Sequence, residues 1–196
     1  MLYVHGKGGS SAEAAGFARN CPEIEVIGVD YDGSAPWTAR PGIRAAYDAA
    51  RARYGRVLLL ANSIGAYFSM LALQDCAVER ALLISPVVDM ERLILDMLGW
   101  AGATEDALRA RGEIPTEFGE TLSWAYLRYV RAHPMDWGAP TKILCARRDA
   151  LVAHETLERF AARCGAEICT MEQGEHWFHT EAQLRFLDEW MRAALA

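Results

Sequence analysis

No stretch of this 196-residue chain gathers enough Lys or Arg to neutralise a row of phosphates, and the net charge is -6. A nucleic-acid partner is therefore not expected. No apolar run is long enough to span a bilayer, so no membrane span is expected either. Met1–Val4 is a short apolar run that breaks at His5-Gly6, unlike a secretory leader. The five cysteines (Cys21, Cys76, Cys145, Cys164, Cys169) show no CxxC spacing, and an odd, dispersed set reads as reduced thiols. These absences together predict a cytoplasmic protein. Neither GxxxxGK[ST] nor GxGxxG occurs, which removes the common phosphate loops. Internal repeats and low-complexity tracts are also missing. What remains is ordinary globular composition, 52% hydrophobic and 23% charged, in a length that suits one domain spanning 1–196.

Short β-rich runs alternate with helix-length amphipathic stretches, the pattern of a parallel sheet built from βαβ units. The expected strands are Leu2–His5, Glu25–Val29, Val57–Ala61, Ala81–Ser85, Lys142–Ala146 and Glu167–Met171. Each carries few charges, as strands buried on both faces do. Helices are expected at Ala14–Arg19, behind a capping box of Ser10 and Glu13, and at Ile43–Tyr54, after Pro41-Gly42 and before a terminating Gly55. Two more are expected at Ile64–Gln74 and Thr180–Leu195. The interval from about 90 to 140 is too long for one crossover or for a structureless loop. Leu93, Ile94, Met97, Leu98 and Trp100, then Leu122, Trp124, Tyr126, Leu127 and Tyr129, recur at helical spacing. The interval reads as a helical insertion whose aromatics mostly pack its own core.

Chemistry concentrates at the ends of the expected strands. Val57–Ala61 runs into Asn62-Ser63, and a helix opens at Ile64. A catalytic serine needs such a tight strand-to-helix turn, with small residues two positions to either side, and Ala61 and Gly65 supply them. A serine there also serves as a plain helix cap. Leu2–Val4 leads into His5-Gly6-Lys7-Gly8-Gly9-Ser10, where glycine lets backbone approach a substrate closely. In acyl transfer the N–H groups of Lys7 (or its neighbour Gly8) and Ile64 would hold the developing oxyanion. Asp149 lies just past Lys142–Ala146, and His176 lies in the loop after Glu167–Met171. An acid that orients an imidazole, and an imidazole that takes a serine proton, must meet on one sheet edge.

Four features, His5-Gly6, the Ala61–Gly65 turn, the Asp149 loop and the Gly174-Glu175-His176 loop, resemble the α/β-hydrolase superfamily over nearly the whole chain. The order Ser63, Asp149, His176 is the one those enzymes use. The resemblance implies a serine esterase, thioesterase or related hydrolase acting on a small-molecule acyl substrate. It implies a three-layer α/β/α sandwich with a mostly parallel sheet and a helical cap over the pocket. Members normally carry two further strands before the His-Gly loop, so a trimmed sheet of six is expected here. Placing the second strand outside the first gives the order 2-1-3-4-5-6. The topological switch point then falls between strands one and three, where open α/β sheets bind ligands. Ser63 and the His5–Gly9 loop converge there. Gly8, Asp32, Trp37, Trp124 and Trp177 are candidate pocket residues, and neither cofactor nor metal is required.

Two other readings compete. Asp30-Tyr31-Asp32-Gly33-Ser34 after a strand resembles the nucleophile motif of haloacid-dehalogenase-type phosphatases, which use Mg²⁺, although no downstream acidic pair accompanies Asp149. Asp30 and Asp32 equally suit an Asx-type turn. A binding protein that keeps the fold without the chemistry is the other. Asp89 is a secondary candidate for the orienting acid, and the spacing of His176 and His179 would suit a metal only with further ligands.

Overall fold

The apolar runs fold as strands wherever both of their faces can be covered. A computed structural model describes residues 1–196. The strands are β1 (Leu2–Val4), β2 (Ile27–Gly28), β3 (Leu58–Asn62), β4 (Arg80–Ile84), β5 (Glu113–Pro115), β6 (Thr121–Ser123), β7 (Thr141–Ala146) and β8 (Glu167–Met171). The helices are α1 (Ala14–Ala18), α2 (Pro36–Tyr54), α3 (Ile64–Leu73), α4 (Met90–Trp100), α5 (Glu105–Arg111), α6 (Trp124–Ala132), α7 (His154–Cys164) and α8 (Glu181–Leu195). The chain divides into two compact units, Met1–Val88 with Asp136–Ala196, and Asp89–Met135.

The first unit holds a six-stranded sheet in the order β2-β1-β3-β4-β7-β8, every neighbouring pair parallel. This is the expected order, with the switch point between β1 and β3. The central strands are buried on both faces: Leu59, Leu60, Leu82, Leu83, Ile143 and Leu144 are fully covered. Tyr3, Leu60, Leu82 and Leu144 face one side, where Ala14 of α1 and Leu187, Trp190 and Met191 of α8 pack on them. Each large apolar side chain covered in this way contributes about 1.5–3 kcal/mol. Residues of the other parity face α3, which is buried from Gly65 to Leu73, and α2 beside it.

Two boundaries differ from expectation. The edge strand β2 is confined to Ile27–Gly28, because only Leu2 and Tyr3 of the short β1 pair with it. Helix α2 starts at Pro36, seven residues before Ile43, and runs through Pro41. Pro36 occupies the first helical position, where a missing N–H costs nothing. The Thr38 hydroxyl accepts the Ala35 N–H (3.1 Å) and closes that end. Pro41, near the start, forfeits a single helical hydrogen bond. Gly55 ends the helix in the left-handed conformation (φ 71°), as expected.

The second unit is not wholly helical. Beside α4, α5 and α6 it contains an antiparallel hairpin of β5 and β6, and Leu122, grouped above with a helix, lies in β6. Its interior is aliphatic (Leu98, Leu108, Ile114, Leu122, Leu127), whereas Trp100 stands 51% exposed against Phe118. Arg131 on α6 pairs with Glu91 of α4 (2.7 Å) and Glu105 of α5 (2.5 Å), tying the three helices together. No helix of the chain is long and apolar enough to cross a membrane.

Candidate active site

Strand β3 delivers Ser63 onto a turn of unusual geometry. Its backbone sits at φ 52°, ψ -124°, outside the regions that residues with a Cβ favour. Such strain persists only where the surroundings over-determine it. Here the Ser63 N–H donates to the Ile84 carbonyl (2.9 Å), and the Ser63 carbonyl accepts from Ala66 (3.1 Å) and Val87 (3.1 Å). The demand for small neighbours has a visible cause. A Cβ on Gly65 would stand 2.2 Å from the His5 carbonyl oxygen, and one on Gly6 would stand 3.1 Å from the Ser63 Cβ. The loop after β1 is thus pressed against the serine turn. Ile64 opens α3 directly after the serine, and Lys7 follows Gly6 in that loop.

His176 and Asp149 reach Ser63 from the loops after β8 and β7. The Ser63 Oγ lies 2.9 Å from His176 Nε2, and His176 Nδ1 lies 2.7 Å from Asp149 Oδ2. Side-chain exposure is 4% for His176 and 2% for Asp149, so both are withdrawn from water. A buried carboxylate needs hydrogen bonds to offset lost hydration. Asp149 receives them at its other oxygen from the Leu151 (2.8 Å) and Val152 (3.0 Å) amides. A carboxylate that only accepts leaves Nδ1 as the protonated nitrogen, and the neutral ring then presents Nε2 as an acceptor to the serine hydroxyl. The two loops are spaced by the Arg147 N–H donating to Met171 (3.0 Å) and the Arg148 N–H donating to Gly174 (3.1 Å). Trp177 stands edge-on to His176, ring centroids 4.7 Å apart, and is 52% exposed.

The other expected residues are not part of this relay. Asp32 accepts the Ser34 N–H (2.9 Å) in an Asx-type turn, and the Ser34 hydroxyl and amide together hold its carboxyl below the usual range. Asp30 is exposed beyond the edge strand β2. Gly8 is exposed in the loop after β1, and Trp37 stands on the first turn of α2, 42% exposed. Trp124 opens α6 in the second unit. Asp89 caps α4 by accepting the Arg92 N–H (2.9 Å), and the His179 N–H donates to Gln183 at the start of α8 (3.0 Å). No group of three or more His, Cys, Asp or Glu side chains stands together as a metal site.

Three residues near the serine are invisible to sequence reasoning. The Tyr31 hydroxyl donates to the His5 carbonyl (2.6 Å) and its ring lies on that of His5, clamping the loop after β1. The sequence marks it only as the middle of the acidic Asp-Tyr-Asp string. The Tyr3 hydroxyl donates to the Glu13 carboxylate, which also accepts the Ser10 N–H (3.2 Å). Ser85 follows β4 at φ 42°, fully buried with its hydroxyl unpaired. A serine ending an apolar strand carries no signal of such a conformation.

No protein-family model and no curated protein sequence matches this chain. Solved structures do match. Est1E from Butyrivibrio proteoclasticus, with ferulic acid bound, superposes with a TM-score of 0.77 at 18% identity, covering 99% of this chain and 86% of its own. Alpha/beta hydrolase domain-containing protein 10 from mouse gives 0.73 at 15% identity, covering 99% and 88%. A proline iminopeptidase-related protein from Thermus thermophilus gives 0.70 at 21% identity, again covering 99% and 88%. At such identities the likeness is one of architecture, and it extends over the whole parallel sheet and its helices: the protein has the α/β-hydrolase fold.

Proposed function

We propose that the protein is a serine hydrolase cleaving a carboxylic ester or thioester through Ser63, His176 and Asp149. The observation that carries this reading is the buried relay Ser63 Oγ–His176 Nε2 (2.9 Å) and His176 Nδ1–Asp149 Oδ2 (2.7 Å), assembled from three separate strand ends. Ser63 Oγ attacks the acyl carbon while His176 Nε2 takes its proton. Asp149 keeps the imidazole in the required tautomer and stabilises the imidazolium that forms. The Ile64 and Lys7 amides stabilise the oxyanion, the first beside the nucleophile and the second in the loop pressed against it through Gly6. His176 returns the proton to the leaving group, and water then releases the acid by the same steps in reverse. Trp177, beside the imidazole, contributes apolar surface to the pocket, and Gly8 contributes backbone from the loop after β1. Ferulic acid, bound by the structurally similar Est1E, is the kind of carboxylic acid such a reaction liberates.

The test is labelling with a fluorophosphonate probe, without added metal, of the wild type, Ser63→Ala and Asp30→Ala. Labelling of wild type and Asp30→Ala, lost in Ser63→Ala, is expected. A folded wild type that takes no label would refute the assignment.

A further inference from the structure

A cleft of about 440 Å³ lies beside the relay, on the sheet face that carries α1 and α8. Most of its wall is apolar: Phe17 from α1, Trp177 and Phe178 from the loop before α8, and Leu184 and Leu187 from α8. His176 belongs to its lining and Ser63 does not. Glu13, whose carboxylate accepts from Tyr3 and Ser10, and the ion pair of Arg19 with Asp188 (3.1 Å) complete the lining.

The side from which the cleft meets the relay says which half of a substrate it can hold. In acylation the Ser63 Oγ–acyl bond forms and the bond from the acyl carbon to the alcohol oxygen breaks. The serine proton travels through His176 Nε2 to that departing oxygen. A group seated against His176, and not against Ser63, is the group attached to the oxygen that His176 protonates. We propose that the cleft between α1 and α8 binds the alcohol portion of the substrate, an uncharged aryl or alkyl group, an assignment that rests on the serine-hydrolase reading above. The apolar walls gain from burying such a group.

Blocking the cleft from either wall tests this. Gly16 of α1 lines it, and a Cβ added there meets no atom within 4 Å, so Gly16→Leu is accommodated by the fold. Leu184 on the opposite wall is 41% exposed, so Leu184→Trp also leaves the core intact. The assay compares kcat/KM for phenyl and hexyl acetate with methyl acetate, and for methyl hexanoate with methyl acetate, in folded wild type and both variants. Each variant is expected to lower the phenyl-to-methyl and hexyl-to-methyl acetate ratios by about tenfold, the scale of discrimination in apolar pockets. The hexanoate-to-acetate ratio should stay unchanged. A change in the acyl series instead, or in neither series, overturns the cleft assignment while leaving the serine hydrolase standing. Absence of any Ser63-dependent ester hydrolysis overturns both.

Discussion

Replacing Asp149 by Asn changes the relay by one proton-bearing nitrogen while preserving shape. The Asn oxygen faces a choice set by the geometry. Pointed at Leu151 and Val152, it keeps both amide hydrogen bonds now made at 2.8 and 3.0 Å, and turns its NH₂ toward His176 Nδ1. Flipped, it leaves two buried N–H donors unsatisfied, at about 1–3 kcal/mol each. The first arrangement therefore wins. Two donors cannot face each other, so the imidazole proton moves to Nε2, and Nε2–H then confronts the Ser63 hydroxyl that it deprotonates in the proposed mechanism. The base is lost while the fold remains. The expected fall in kcat is about 10³–10⁴-fold, by analogy with the same change in a serine-protease triad, or about 4–5.5 kcal/mol in the transition state. The assay is 4-nitrophenyl acetate turnover near neutral pH, with urea unfolding expected to shift by less than about 1 kcal/mol. Asp89→Asn is the control, since Asn caps α4 as well as Asp does and activity should be kept. A folded Asp149→Asn variant within tenfold of wild type would refute the reasoning.

Gly65→Ala forces a methyl to 2.2 Å from the His5 carbonyl oxygen and 2.7 Å from that of Val4, with backbone on both sides. It should destabilise by about 3 kcal/mol or more, measured by urea unfolding, and a loss under about 1 kcal/mol would show that the turn yields. Acid should weaken the fold. Hydrogen bonds from Arg44, Arg56 and Arg131 hold Asp75, Glu79 and Glu105 below their ordinary range, as Ser34 does Asp32. Their stabilisation is complete above the unfolded carboxyl range of about 3.9–4.3 and disappears as pH falls through the lower folded values. The urea midpoint should therefore drop as pH falls from about 5 to about 2, modestly because these groups are exposed, and a rise would contradict the account. Burial raises the Cys21, Cys145, Cys164 and Cys169 thiols. Because the thiolate is the reactive form, native protein should react with iodoacetamide more slowly than urea-unfolded protein; equal rates would show these thiols to be open.

Much of the fold was legible because local chemistry and burial follow the same residues. Apolar runs such as Val57–Ala61 and Lys142–Ala146, separated by amphipathic stretches, imply parallel strands, and parallel strands bring all their carboxyl ends to one edge. Ser63, Asp149 and His176 follow three such ends, so their convergence could be argued without coordinates. Local signals were weaker where a neighbour in space decides. Pro41 marked a helix boundary by its own chemistry, yet Thr38 and the packing of α2 carry the helix past it. Leu122 fitted a helical spacing, but pairing with β5 places it in a strand.

By itself the sequence determined the strand-rich runs, the tight serine turn with its small neighbours, and the short menu of acids and imidazoles at strand ends. Each of these depends on a few adjacent residues and on water. Only the tertiary structure decided which acid meets His176. Asp149, 27 residues away, reaches it; Asp89 spends its carboxylate on a helix cap and Asp32 on a turn. It likewise decided that Tyr31 clamps the loop after β1 and that a cleft opens beside His176. A hydrogen bond between residues 113 positions apart, like that of Ser63 with His176, is set by strand order and loop spacing. Those belong to the whole sheet and leave no mark on the residues flanking either partner.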